Sequence, residues 1–378
     1  MTHKPKVILG MSGGIDSSVA ASLLVEQGYD VHGVTLKVWE EEDPDNVSKR
    51  WQERSCCKVG IARHVAKMLD IPHTLVDTQA EFKERVINDF ISGYLQGITP
   101  NPCVRCNERV KFASLYRFAR EHQADFVATG HYAQIFRNER GEYEFWKGVD
   151  TKKDQSYFLY RISPTWLPKI LFPVGHLEKA DVWQHAEKMG LPTDELKESQ
   201  EICFVTQGNY RTFLQNEAPE SQKPGPFLDS EGNEIGQHEG IAFYTPGQRK
   251  GLGIATGVPL YVHTVIPESN AVVVGSKEGL KARECRVAEL NLFQTDLLQE
   301  GQRVEVKLRY ASPPVRGYFS IVNDQEVVVQ FETPQLAISP GQSAVFYRGA
   351  QVLGGGIIQK SVVPLADPSP ALVDMAFQ

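Results

Sequence analysis

No apolar run in the 378 residues reaches the ~18 that a membrane-crossing helix needs, so no membrane partner is expected. No leader is expected either, because MTHKPKVILG is a short polar approach to a strand and lacks an apolar signal core. Cysteine is scarce, at six residues. Without an export signal, these point to a reducing, cytoplasmic setting, where metal-binding or catalytic roles outrank structural disulfides. Positive charge is in deficit: 40 Lys and Arg stand against 47 Asp and Glu, for a net charge of −7. A nucleic-acid partner therefore has to be met by local basic patches, since the whole-molecule field repels it. Repeats and low-complexity segments are absent. What remains is 41% hydrophobic and 23% charged, the balance of an ordinary globular chain long enough for two or three domains.

The organising stretch is Gly10–Ser18, GMSGGIDSS. Val7-Ile8-Leu9 before it reads as a buried strand, and Val19–Val25 after it as a helix, with Gly28 just beyond. The unit is a strand, a tight glycine turn and a helix N-terminus, where free N–H groups and the dipole favour an anion such as phosphate. The lysine-bearing loop G-x-x-x-x-G-K-[ST] is absent, and so is G-x-G-x-x-G. Two glycines alone would mark any strand-to-helix turn. The full string SGGIDS resembles the signature of the N-type ATP pyrophosphatases, which split ATP between its α and β phosphates and adenylate an oxygen. That resemblance implies that Ser12, Gly13, Gly14, Asp16 and Ser17 hold pyrophosphate with Mg²⁺ nearby.

Strand and helix patterns alternate through the first 130 residues. Val31–Trp39, Thr74–Val76 and Phe126–Thr129 read as strands; Cys57–Leu69, Ala80–Leu95 and Val110–His122 read as helices. This alternation predicts an α/β fold, a doubly wound parallel sheet with helices on both faces. Ligands then bind at the carboxyl ends of the strands, where the Gly10 turn and Gly130-His131 both lie. Glu40–Asp45 is an acidic run with no assigned role. Gly148–Gln215 is helical but broken by Pro164, Pro168, Pro173 and Pro192. From Pro224 the texture becomes short alternating runs separated by Gly, Pro, Asn and Asp, among them Ile241–Tyr244, Leu260–Val265, Ala271–Val274, Arg303–Tyr310 and Ala344–Tyr347. That is a small β-rich domain followed by a β-barrel. The expected boundaries are 1–215, 216–280 and 281–378.

The sulfur chemistry starts at Cys103-Val104-Arg105-Cys106-Asn107, between a proline turn and a helix. With Asn107 as N-cap, Cys106 would sit at a helix N-terminus beside Arg105 and Arg109, a positive setting that lowers a thiol pKa. C-x-x-C alone fits a redox pair, half a zinc site, cluster ligands or a catalytic thiol. An adenylation site shifts that weighting, because an adenylated carbonyl needs a nucleophile to displace AMP, and sulfur is the obvious one. Cys203, in Ser199–Phe204, supplies a second thiol. One thiol can carry sulfur as a persulfide while the other attacks that persulfide and releases the sulfur, leaving a disulfide. A buried small hydrophobe is the plain alternative for Cys203.

GMSGGIDSS, TPNPCVRCN, ATGHYA, KDQSYFL, ESQEICF, GQRKGLGI, the late RY and PGQSAVFY, in that order, resemble the bacterial tRNA-specific 2-thiouridylases. The resemblance implies an ATP-dependent sulfurtransferase. It adenylates the C2 oxygen of the wobble uridine, U34, and installs sulfur there, releasing AMP and diphosphate. It implies that Gly10, Met11, Ser12, Gly13, Gly14, Ile15, Asp16 and Ser17 hold the ATP phosphates, and that Leu36 and Gly130 line the nucleotide pocket. Cys106 is implied as the nucleophile and Cys203 as the persulfide carrier. Asn101, Pro102 and Cys103 match the segment that meets the target base. His131, Lys153, Asp154, Gln155, Arg309, Tyr310 and Gln342 match tRNA contacts. The implied cofactors are ATP and Mg²⁺. The implied partners are the Lys, Glu and Gln tRNAs and a cysteine-desulfurase persulfide relay. Some relatives carry aspartate where this chain has Cys103, which favours Cys106 as the essential thiol. Cys103, Cys106 and Cys203 can also be read as ligands of a [4Fe–4S] cluster. Cys56 and Cys57 read as structural, and Cys285 has no assigned role.

Arg105, Arg109, Lys111, Arg117 and Arg120 form a basic stretch opposed by Glu108, and Lys147, Lys152 and Lys153 add a second. An unpaired wobble base can be flipped and stacked, with Tyr132 and Tyr157 as candidates. Gln248-Arg249-Lys250 is a candidate phosphate contact. Two other classes fit parts of the sequence. An adenylating ligase or amidotransferase acting on a small carboxylate would not need Cys106 or Cys203. A non-catalytic RNA-binding module would not turn ATP into AMP.

Overall fold

A computed structural model describes residues 4–39, 49–191, 202–205, 209–255, 257–294 and 299–359, with backbone alone for 49–58. Glu40–Asp45, Ser199–Glu201 and the tail beyond residue 359 lie outside the described residues, as do the side chains of Cys56 and Cys57. The chain divides into two compact units. One comprises Met1–Val86, Cys103–Gly208 and Gly349–Leu353; the other comprises Ile87–Pro102, Asn209–Arg348 and Gly354–Gln378.

The first unit is built on a five-stranded sheet. Its strands are β1 (Lys6–Gly10), β2 (Asp30–Lys37), β3 (His73–Asp77), β4 (Phe126–Thr129) and a short β7 (Ile170–Leu171), in the order β3-β2-β1-β4-β7. Every pairing is parallel. Parallel strands need both faces covered, and β1 is accordingly a continuous apolar run, Val7-Ile8-Leu9, with no exposure. Helix α1 (Ile15–Glu26) packs Val19, Ala20, Ala21 and Leu24 into the same core as Val7 and Leu9. Helix α2 (Lys49–Met68) adds Ala62 and Val65. Gly10 of β1 stands in register with Thr129 of β4, so the turns that follow both strands emerge side by side.

One element was not expected. Ala133–Arg137 and Tyr143–Lys147 form an antiparallel hairpin, β5–β6, and Gln351 and Val352 pair along β6. Two expectations are corrected. The helix expected from Val110 starts at Pro102: Pro102–Cys106 is helical, Asn107–Lys111 is a π-turn, and Phe112–Glu121 continues as α-helix. Cys106 has helical φ and ψ of −62° and −47°, so it lies inside this run and not at its N-terminus. Ile241–Phe243 is a buried 3₁₀ turn instead of a strand.

The second unit contains two sheets. β8 (Gly225–Leu228), β9 (Glu234–His238), β10 (Tyr261–Ile266) and β11 (Ala271–Gly275) run in the order β10-β11-β8-β9. Then β12 (Lys281–Leu292), β13 (Arg303–Lys307), β14 (Val315–Asn323), β15 (Glu326–Leu336), β16 (Ser343–Arg348) and β17 (Gln351–Ile358, of which Gly354 onward belongs to this unit) run in the order β12-β15-β14-β13-β16-β17. β17 also pairs antiparallel with β12, which closes six strands into a barrel and removes both edges. The α/β, small β-rich and β-barrel architecture expected from the sequence is the one present.

Candidate active site

The glycine turn is held from within. Gly13 has φ +73°, and Ser17 Oγ donates to the Gly14 carbonyl at 3.0 Å. Ser12 N donates to Ser17 Oγ at 3.2 Å, and Ser18 Oγ donates to the Gly14 carbonyl at 3.0 Å. No side chain caps α1 at Gly14, which leaves its N-terminus open as an anion site needs. Met11 is buried and hydrogen-bonds the Val34 carbonyl from its N–H at 2.8 Å, while Thr35 Oγ1 donates back to Met11 O at 2.7 Å. Leu36 follows in β2, half-buried beside Val76 of β3.

Gly130 leads out of β4 directly against the start of α1. A Cβ there would lie 2.6 Å from Ser17 N and 2.7 Å from the Asp16 carbonyl carbon. Only glycine lets the two turns approach this closely. Asp16 itself is clasped: Lys179 Nζ lies 2.6 Å from its Oδ1, and Tyr132 OH donates to the same oxygen at 2.8 Å. Tyr132 N donates to Gln155 Oε1 at 3.0 Å, and Gln155 N donates to Tyr132 O at 2.9 Å. Asp154 is buried and accepts from the N–H groups of Gly148 and Ser156 and from Ser156 Oγ. Asp150 accepts from the N–H groups of Lys152, Lys153 and Lys179, which hold its carboxyl below the usual carboxylate range against the opposing effect of burial. The segment 150–155 and the Asp16 carboxylate thus share one network. Tyr132 and Tyr157 are buried, so they pack the core and are not available to stack on a base.

Cys103, Cys106 and Cys203 are free thiols within the first unit. Cys103 and Cys203 reach solvent, and Cys106 is half-buried. Enough protein surrounds each that its charged form is disfavoured: Cys103 is pushed up to about 11, and Cys106 and Cys203 are raised as well. Cys106 and Cys103 each add repulsion to Cys203, so the thiols lie within electrostatic reach of one another. Lys111 opposes all three shifts, and its backbone N–H bonds the Cys106 sulfur. Lys111 Nζ lies 3.4 Å from His131 Nε2. His131 Nδ1 then carries the proton and donates to Thr129 Oγ1 at 2.7 Å. Burial, reinforced by Lys111, holds His131 well below 6.5, so it is neutral at pH 7.

The expected low thiol pKa at Cys106 is therefore corrected. Neither a helix end nor the arginines supply the positive field. Glu108 engages Arg161 at 2.8 Å, Arg105 at 3.3 Å and Arg109 at 3.7 Å, so the two arginines nearest Cys106 in sequence are held by a carboxylate. Among the described residues no three His, Cys, Asp or Glu side chains are grouped to hold a metal ion, so the three thiols as they stand do not fit a cluster. Two residues escaped sequence reasoning, Lys179 as the partner of Asp16 and Lys111 as the cation of the thiols. Lys179 carried no signal, since 163 positions separate it from Asp16. In the sequence Lys111 is one cation of a basic stretch, with nothing that relates it to the thiols.

Asn101, Pro102, Arg309, Tyr310 and Gln342 belong to the second unit. There Gln342 Nε2 donates to Thr99 O at 2.9 Å, and Thr99 N donates to Pro340 O at 2.8 Å, which fixes the turn leading to Asn101. Arg309 donates to the Ala337 carbonyl and to Ser339 Oγ, and Tyr310 is exposed beneath Lys307. Arg249 and Lys250 are exposed.

A parallel sheet whose first strand feeds SGGIDS onto a helix N-terminus defines a nucleotide-binding domain of the HUP class. Residues 5–207 match the profile of the tRNA methyl transferase HUP domain, 211–276 the tRNA methyl transferase PRC-barrel domain, and 282–358 the aminomethyltransferase beta-barrel domain. Full-length relatives refine this. The chain is 45% identical over 366 residues to a tRNA-specific 2-thiouridylase of Caldanaerobacter subterraneus, covering 96% of this chain and 100% of that one. It is 43% identical over 366 residues to a tRNA-specific 2-thiouridylase of Clostridioides difficile, with the same coverage. It belongs to the tRNA-specific 2-thiouridylase family. Among solved structures, the NMN synthetase of Francisella tularensis overlaps 55% of this chain and 71% of its own at 21% identity and a TM-score of 0.33, too slight a likeness to bear on function. No helix among the described residues is long and apolar enough to cross a membrane.

Proposed function

We propose that this tRNA 2-thiouridylase adenylates O2 of U34 in the Lys, Glu and Gln tRNAs and replaces that oxygen with sulfur carried on Cys203. The observation that carries the reading is that Cys103, Cys106 and Cys203 are free thiols within electrostatic reach of Lys111, in the same unit as the SGGIDS turn. In the first step uridine O2 attacks the α-phosphorus of ATP. The O2–P bond forms, the bond to the bridging oxygen breaks, pyrophosphate leaves with the electron pair, and the uridine N3 proton is released. Residues 10–17 bind the departing phosphates, with Leu36 and Gly130 lining the nucleotide pocket. The Asp16 carboxylate suits one position on an oxygen-ligated Mg²⁺, which would neutralise charge on the phosphates when bound.

In the second step the terminal sulfur of a Cys203 persulfide becomes the sulfur on C2, and AMP departs with the former O2. Cys106 gives its proton to solvent, with Lys111 favouring the thiolate, and then attacks Cys203 Sγ and breaks the persulfide S–S bond. The sulfane sulfur takes the electron pair, and Cys106 and Cys203 are left as a disulfide. A cellular dithiol must reduce that bond before the next turnover, and a cysteine-desulfurase relay reloads Cys203. Asn101, Pro102 and Cys103 face the target base in this scheme. His131, Lys153, Asp154, Gln155, Arg309, Tyr310 and Gln342 are the tRNA contacts, those residues already buried or bonded acting by shaping the surface.

Two variants separate the steps. Asp16→Ala should abolish AMP release in the presence of tRNA, and normal AMP release would remove Asp16 from the mechanism. Cys203→Ala should still form AMP yet give no 2-thiouridine from a persulfide donor. Undiminished thiolation would exclude Cys203 as the carrier.

A further inference from the structure

The SGGIDS turn lacks the lysine that the commoner phosphate loops carry within the loop. The fold delivers one from elsewhere. Lys179 opens the helix Lys179–Lys188, and its side chain is only 11% exposed. Its ammonium touches Asp16 Oδ1 at 2.6 Å and lies 5.7 Å from the Tyr132 ring and 5.6 Å from the Trp183 ring.

This is a poor place for a lysine on stability grounds. A helix N-terminus repels cations, and burying an ammonium costs desolvation that a single carboxylate partner seldom more than offsets. The surroundings accommodate it with care all the same. Asp150, itself buried, takes the Lys179 backbone N–H at 3.0 Å and fixes where the helix begins. Tyr132 OH shares the Asp16 oxygen with the ammonium, so two donors converge on one carboxylate atom at the mouth of the anion turn.

We infer that Lys179 is the phosphate-site lysine of this enzyme: it pairs with Asp16 in the resting protein and with the β- and γ-phosphates when ATP is bound. The inference rests on the ATP-site reading above and deepens it. The Asp16 carboxylate would be a ligand for the divalent ion that accompanies ATP, and the Lys179 ammonium, freed from it, would neutralise charge on the phosphates that leave as pyrophosphate. Lys179 has to act on pyrophosphate and not on AMP, which keeps only the α-phosphate.

Calorimetric titration of the full-length protein with inorganic pyrophosphate plus Mg²⁺, and separately with AMP, tests this. Lys179→Met should weaken pyrophosphate binding by at least ~10-fold, the loss of a charge-assisted contact, and change AMP binding by less than about twofold. Lys179→Arg should restore most of the pyrophosphate affinity. Pyrophosphate binding to Lys179→Met that stays within about twofold of wild type overturns the lysine assignment alone. Parallel loss of both ligands, unrescued by arginine, also overturns it and makes Lys179 a structural tie between two helices. Wild-type protein that binds neither ligand overturns the ATP-site reading and this inference together.

Discussion

Cys106 and its neighbours show how residue-level chemistry departs from proximity in sequence. Desolvation by the surrounding protein raises the thiols of Cys106 and Cys203 and pushes Cys103 up to about 11, although Cys103 and Cys203 reach solvent, and Lys111 is the charge that opposes this. The resting protein therefore holds thiols, not thiolates, at neutral pH. Iodoacetamide labelling followed per cysteine by mass spectrometry should be slow for Cys106 at pH 7 and still rising above pH 9. A plateau near pH 7 would contradict the account. Lys111→Met should slow the labelling of Cys106 further at every pH below 9, because it removes the one group that favours the charged form. Gly130 poses a test of geometry. A methyl there meets backbone atoms of Asp16 and Ser17 at under 3 Å, and backbone cannot swing aside as a side chain can. Gly130→Ala should thus lower tRNA-dependent AMP formation by at least ~10-fold, as expected when a reacting group is displaced by a fraction of an ångström to an ångström, while the protein stays folded. Unchanged AMP formation would mean that the two turns need not touch.

At the scale of elements, the helix carrying Cys103 and Cys106 was the least legible part of the site. Pro100, Pro102 and Asn107 all read as boundary signals. Proline is tolerated in a first helical turn, however, and Pro102 sits there. Asn107 is not a cap; it is buried inside the π-turn and donates from Nδ2 to the Phe158 carbonyl at 3.1 Å. Asn107→Ala strands that carbonyl, so it should destabilise the protein by about 1–3 kcal/mol in denaturant unfolding. A change below ~0.5 kcal/mol, the range of ordinary surface substitutions, would show that the bond is dispensable. The parallel sheet was easier to read because its buried strands are continuous apolar runs and its helices keep a 3.6-residue period. The β5–β6 hairpin escaped because Gln134, Arg137, Glu144 and Lys147 interrupt its apolar positions. The Lys179–Asp16 and Lys111–His131 contacts are products of topology, joining residues that no local pattern relates.

At the scale of the whole molecule, four histidines set the acid side of stability. Burial lowers His32, His73, His131 and His238 in the folded protein. The unfolded chain, with histidines near 6.5, then binds more protons than the native state once the pH falls below about 6.5. Stability is full above that pH and declines below it, so the urea midpoint at pH 5.5 should lie under that at pH 7.5. Equal midpoints would count against buried neutral histidines. The net charge of −7 has a separate consequence. A tRNA must be held by local cations, and Glu108 already occupies three arginines of the first unit, so binding should weaken steeply with salt.

The most direct measurement is anaerobic thiolation. Protein, ATP, Mg²⁺, a persulfide donor and unmodified tRNA-Glu are combined, the RNA is digested, and 2-thiouridine is quantified by mass spectrometry beside Cys106→Ser. The account predicts 2-thiouridine with the wild-type protein alone, with AMP formed in step. Equal 2-thiouridine from Cys106→Ser, or none from wild-type protein that releases AMP normally, would contradict it.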